Sequence, residues 1–315
     1  IVGARGLLQH QDPYPIFSPA NPALGYEEFS DGPSTHPPTA FLFALPISLL
    51  PQKWALAIWA WLMLILLILT FRCYGVSWKA ALGLMPIALL WTPMQISLGQ
   101  ITIIWLFGVA LAYRLNMKRP FLSGASIGLA SLTKFLPSLL IIIFLVKKQR
   151  RALLGFITLW LATLAALMVL WPKAISRYLD VNQTMSLETI QRADNSALLF
   201  SSYRIGGWLG AGLAVVLLLS ILLTNRDCIL NPRPGSAPRL WRIMIYFSVA
   251  LLPIAWTYSI VPLLPIIIYE VLQKKLLVKL AGLCCLVLPC VAPPWGGLSR
   301  SEEHTSELQS LAYLV

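Results

Sequence analysis

Lys134 interrupts the apolar run 121–146, in Ser131-Leu132-Thr133-Lys134-Phe135-Leu136-Pro137. A cation in the middle of a bilayer costs about 2.5 to 3.5 kcal/mol on insertion scales. It needs a partner, a water-filled cavity or an anionic ligand, unless it snorkels to a nearby interface. Arg204 opens a later apolar run just after Asp194-Asn195-Ser196. It can bind a phosphate, pair with Asp194, or simply flank the membrane surface. Asp12, in Gln11-Asp12-Pro13-Tyr14-Pro15, has the chemistry of a general base or metal ligand, and equally that of a turn nucleator before proline. Glu27, Glu28 and Asp31 carry the same ambiguity. Gln100, in Ser97-Leu98-Gly99-Gln100, sits in a tight turn that accounts for Gly99 and leaves the glutamine unexplained. Trp256 and Tyr258 have the composition of a membrane-interface belt.

Several familiar chemistries are excluded. No GxxxxGK[ST] phosphate loop occurs, and His10, His36 and His304 cannot make an HExxH zinc motif. The five cysteines, Cys73, Cys228, Cys284, Cys285 and Cys290, form no CxxC pair and read as small packing residues. No metal or cofactor is indicated, although a metal requirement stays open.

The elements that position these residues must be membrane helices. Of 315 residues, 58% are hydrophobic and 11% charged, against about 25% charged in soluble domains. Mean hydropathy is +0.75. Disorder and a soluble multidomain architecture are both excluded. Apolar runs cover 54–71, 80–97, 100–115, 121–146, 152–171, 204–224, 241–258, 259–273 and 276–293. Lys118 and Arg119 precede the run 121–146, and Lys147, Lys148, Arg150 and Arg151 follow it. A single crossing would split these basic clusters between the two sides. A re-entrant pair broken at Lys134 and Pro137 keeps both inside, as the positive-inside rule favours. The expected fold is therefore an all-α polytopic bundle of about eight full spans with one re-entrant pair. Segment 1–38 is then an outer loop, 39–51 an outer interfacial or re-entrant helix, and 172–203 a second long outer loop. The net charge of +12 would suggest nucleic acid in a soluble protein; here topology accounts for it, and no nucleic-acid partner is expected.

The two ends read as non-native. The chain begins Ile1-Val2-Gly3, without Met or a signal segment, which reads as an N-terminal truncation. Residues 300–315, from Arg300-Ser301-Glu302-Glu303-His304-Thr305 onward, resemble a translated sequencing adapter. The expected membrane domain is 39–299.

A series of short motifs follows in order. Arg5-Gly6-Leu7-Leu8 leads to Asp12-Pro13-Tyr14, and His36-Pro37-Pro38 leads to an apolar run ending Leu50-Pro51. Gly99-Gln100 precedes a span, and Gly124 to Gly128 leads to Thr133-Lys134 and Pro137. Asn195-Ser196 precedes Arg204, and Pro253-Ile254-Ala255-Trp256-Thr257-Tyr258 precedes Pro262-Leu263-Leu264-Pro265. Together they resemble glycosyltransferase family 87, membrane enzymes of the GT-C class. The resemblance covers most of residues 5–270. It implies transfer of a hexosyl group, commonly mannosyl, from a polyprenyl-phosphate donor to an envelope glycolipid or glycan on the outer face of a bacterial plasma membrane. It implies donor-phosphate or substrate contacts for Lys134, Arg204, Gln100, His36, Asn195, Trp256 and Tyr258. It places the family's usual base upstream of Ile1 and leaves Asp12 as the candidate within the chain. One departure is Thr257-Tyr258-Ser259, where the family often carries a histidine. The rival classes are a lipid-linked-sugar flippase, whose broken helices and midplane charges look similar, and a non-catalytic membrane protein.

Overall fold

The computed structural model describes residues 2–8, 14, 36–90, 101–180, 198–230 and 240–245. Among these every regular element is helical. In chain order they are α1 (Val2–Leu8), α2 (Pro38–Ser48), α3 (Gln52–Cys73), α4 (Trp78–Leu90), α5 (Thr102–Leu115), α6 (Pro120–Thr133), a 3-10 turn (Leu136–Leu140), α7 (Ile141–Val146), α8 (Arg150–Leu170), α9 (Leu198–Thr224) and α10 (Arg226–Leu230). Short helical stretches also cover 174–180 and 240–245. Three helices are long and apolar enough to cross a membrane: Lys53–Cys73, Arg150–Leu170 and Gly206–Thr224. The expected runs 259–273 and 276–293, and 241–258 beyond residue 245, lie outside the described residues.

Helix ends follow local chemistry. Pro51 leads into α3, which closes on a left-handed Gly75 with φ 87. The Val76 N–H then donates to Phe71 O at 3.1 Å and the Gly75 N–H to Arg72 O at 3.0 Å. This paired arrangement satisfies carbonyls that would otherwise be orphaned at the end of the helix. α6 stops at Thr133 because Pro137 lacks an N–H and its ring would collide with the carbonyl four residues back. Lys134 adopts extended geometry, φ −151 and ψ 134, before the chain resumes as the 3-10 turn and α7. The break expected at Lys134 and Pro137 is therefore present. α9 is also broken, at Gly206 and Gly207, and the φ 57, ψ −146 of Gly207 is open only to glycine.

Close packing fixes the directions of the helices. α6 lies between α5 and α8. The Ser123 hydroxyl donates to Ala112 O at 2.7 Å, while a Cβ on Gly108 would stand 2.9 Å from Ser126 O. Those pairings run in opposite order, so α5 and α6 are antiparallel. Against α8 the order is shared. A Cβ on Gly124 would overlap the Ala152 carbonyl, and one on Gly128 would press on Leu159 and Phe156 O. Gly155 in turn lies against the Phe121 carbonyl. α6 and α8 therefore run in the same direction, and their first turns lie together. Lys118, Arg119, Arg150 and Arg151 share one end of the bundle, as a re-entrant pair requires and a single crossing forbids. Tyr74, just past α3, meets Tyr113 near the end of α5 with ring centroids 5.5 Å apart. Arg72 and Arg114 thus lie at that same basic end.

Gly124→Ala is expected to destabilise the protein by about 2 kcal/mol or more, because backbone rather than a flexible side chain must give way. Gly83→Ala should be neutral or slightly stabilising, since an added methyl there would meet nothing within 4 Å. Thermal unfolding in detergent compares them. Single cysteines at Lys118 and Arg150, in a background without native cysteines, should be labelled from the same side of sealed vesicles.

Candidate functional site

The break after α6 is held from three directions. From α2, the buried Thr39 hydroxyl donates to Leu132 O at 2.6 Å. This places His36-Pro37-Pro38, the segment entering α2, close to Lys134. From α8, the Phe135 ring stacks on Trp160 at 5.8 Å and 28°. Trp160 lies midway between Arg150 and Leu170, so Lys134 sits near the mid-depth of a helix long enough to span. From 174–180, Tyr178 approaches Phe135 at 6.1 Å.

An aromatic wall runs from this point toward the end of α8. Tyr14 is fully buried and its ring lies 5.3 Å from Phe41, 6.0 Å from Trp171 and 5.9 Å from Tyr178. Its hydroxyl donates to His36 O at 2.7 Å. A buried tyrosine normally finds such a partner for its polar tip. The segment around His36 is thus tied to the wall at one point and to α6 at another.

α2 is eleven residues long, too short to span. It buries Pro38, Thr39, Ala40, Phe41, Ala44 and Ser48 against its neighbours. Its C-terminal carbonyls are capped from α1: the Arg5 Nε donates to Ser48 O at 2.9 Å and Nη2 to Leu50 O at 3.0 Å. A cation belongs at that negative helix end. Arg5, part of the first motif in the sequence, therefore positions α2.

Two of the sequence candidates, His36 and Lys134, flank the α2–α6 junction that Thr39 and Leu132 make. Lys134 is half-buried and His36 likewise. Arg204 stands on the helical turns of α9 that precede the break at Gly206. Asp12, Gln100, Asn195, Trp256 and Tyr258 lie outside the described residues. Sequence reasoning missed Thr39, Phe135, Trp160, Trp171 and Tyr178. Only Trp160 carried a signal: an indole at the centre of a span is out of place for an interface belt.

The site therefore offers a cation at mid-depth and an aromatic wall, with His36 at the entry to α2. It suits a ligand with an anionic group and an apolar body. Residues 35–259 match the model of glycosyltransferase family 87. That stretch contains His36, Gln100, Lys134, Asn195, Arg204, Trp256 and Tyr258, and Asp12 falls before it. No curated protein and no solved structure matches the chain.

Thr39→Val should loosen the α2–α6 junction by about 1 to 3 kcal/mol, since it leaves a buried carbonyl without its donor. Amide hydrogen exchange around 132–135 is expected to quicken, with the α3–α5 contact unaffected.

Proposed function

The chain belongs to glycosyltransferase family 87, and from that premise we propose that it moves a hexosyl group, commonly mannosyl in this class, from a polyprenyl-phosphate donor to an envelope glycolipid or glycan. Family membership makes it a glycosyltransferase with a sugar donor and an acceptor. Its long apolar helices mark a membrane protein. The donor class is supported chiefly by one observation: Lys134 is carried at mid-depth by a helix break whose position is fixed against Trp160. An anion attached to a lipid can enter such a site from the bilayer, whereas a soluble nucleotide sugar would have to leave water to reach it.

In this reading the acceptor hydroxyl oxygen attacks the anomeric carbon and forms the new glycosidic bond. The bond from that carbon to the phosphate oxygen breaks, and polyprenyl phosphate leaves. The acceptor proton passes to a carboxylate within hydrogen-bond reach. Asp12 is the candidate for that base within the chain. The Lys134 ammonium, with Arg204 as a second cation, stabilises the charge that develops on the departing phosphate. His36, Gln100, Asn195, Trp256 and Tyr258 contact donor or acceptor. We place the chain in a GT-C arrangement in a bacterial plasma membrane, with the basic end of the bundle inside and the site opening outward. No cofactor beyond the lipid-linked co-substrate enters this scheme.

The test is turnover of a polyprenyl-phosphate hexose by the protein in proteoliposomes. Lys134→Ala and Arg204→Ala should each lower kcat by about 10²- to 10³-fold, as loss of one preorganised charge-stabilising group does, with melting temperatures unchanged. Turnover at the wild-type rate in both variants would overturn the assignment.

A further inference from the structure

Topology explains which side the basic residues take, but not why they surround two bare helix starts. α6 and α8 begin side by side at the basic end, their backbones touching where Gly124 meets the Ala152 carbonyl and Gly155 that of Phe121. Both helices start without a side-chain cap, at Arg119 and at Gln149, and neither has an acidic residue in its first turn. The first amides of a helix have no partner inside it, and the helix dipole leaves positive charge at that end. Two such ends lie together here, with Lys118, Arg119, Lys148, Arg150 and Arg151 exposed around them. Among the described residues the ion pair is Arg226–Asp227, and none of these five cations takes part in one.

A second observation comes from α5. Gly108 and Ala112 both face α6: a Cβ on Gly108 would stand 2.9 Å from Ser126 O, and Ala112 O accepts the Ser123 hydroxyl at 2.7 Å. Asn116 is four residues further on, so it continues that stripe. The antiparallel order brings it level with the first turn of α6. Asn116 is 3% exposed, yet its Oδ1 has no hydrogen-bond partner among the described residues. The Oε1 of Gln149, the residue leading into α8, is buried without one as well. A buried acceptor left alone is costly. The site therefore calls for a ligand with two chemistries: an anionic oxygen for the helix amides and cations, and hydroxyl hydrogens for the amide oxygens. Met117, Phe121 and Leu122 add exposed apolar surface beside it, which suits an acyl chain and offers nothing to free phosphate.

We propose that the joined starts of α6 and α8 bind the headgroup of an anionic phospholipid that also carries hydroxyls. The phosphate lies at the helix amides with Arg119 and Arg150, and the hydroxyls donate to the Asn116 and Gln149 amide oxygens. Basic pockets between helices on the cytoplasmic side are where anionic headgroups dock. This site is at the opposite end of α6 from Lys134, so the proposal does not depend on the identity of the sugar donor.

Three short-chain lipids with identical acyl chains test it, titrated against the purified chain in detergent. They are phosphatidylglycerol, phosphatidylmethanol, which has the same charge and no hydroxyl, and phosphatidylcholine. The wild type should bind phosphatidylglycerol about fivefold more tightly than phosphatidylmethanol, and phosphatidylmethanol more tightly than phosphatidylcholine. Arg119→Gln together with Arg150→Gln should weaken phosphatidylglycerol binding about 10- to 30-fold. Lys53→Gln together with Lys79→Gln removes the same charge from exposed positions elsewhere and should change it by less than about twofold. Asn116→Leu should abolish the preference for phosphatidylglycerol over phosphatidylmethanol, with a melting temperature unchanged or raised, since it removes an acceptor that the protein itself does not satisfy. Equal affinity of the wild type for phosphatidylglycerol and phosphatidylmethanol, or an equal loss in the two double variants, would overturn the proposal. Inorganic phosphate competing at the affinity of the lipid would overturn it too, by making the site one for free anions.

Discussion

The backbones of α6 and α8 touch. Gly124 lies on the carbonyl of Ala152 and Gly155 on that of Phe121, with no side chain between them. In lipid there is little hydrophobic gain from joining two apolar helices, so small residues that permit close approach carry the association. This contact makes the two helices start together and run in the same direction. It follows that the chain must turn back between them, that the basic clusters at 118–119 and 147–151 share one end, and that the break at Lys134 falls halfway up α8. The depth of the cation is thus a consequence of where the glycines fall along the two helices.

Around that frame the remaining elements act as fasteners. Thr39 joins α2 to the end of α6, Tyr14 joins the loop before α2 to the aromatic wall, and Arg5 caps the far end of α2. Each supplies a hydrogen bond to a carbonyl that a helix end or loop leaves open. In an apolar environment such a carbonyl is expensive to leave alone. Among the described residues these three hydrogen bonds serve to position α2.

Among the described residues the helix runs as far as 224 were legible in the sequence, and so were the break at Lys134 and the turning-back of 121–146. Proline geometry and the placement of Lys and Arg are local or countable signals, and they survive in lipid. The packing faces were not legible. α3 buries Ala55, Trp59, Met63, Leu67 and Phe71 while exposing Trp54, Ile58, Trp61 and Leu62, and both sets are apolar. A helix whose outside faces lipid carries no polar stripe to betray its inside. The aromatic wall was hidden for the same reason, since Trp171 and Tyr178 are distant in sequence from Tyr14 and look like ordinary interface residues. Gly124 and Gly128, spaced four apart, stand out in the sequence as a pair; their meaning as a backbone contact needed the partner helix.

The parallel pairing of α6 with α8 also constrains how the protein is made. α6 is fourteen residues long and ends in a cation, so it is a poor candidate for independent insertion as it leaves the ribosome. The surface it needs is on α8, which is synthesised later. Until Arg150–Leu170 enters the bilayer, α6 has only its α5 face covered. The close-packed face of the earlier hairpin is therefore completed only when α8 arrives.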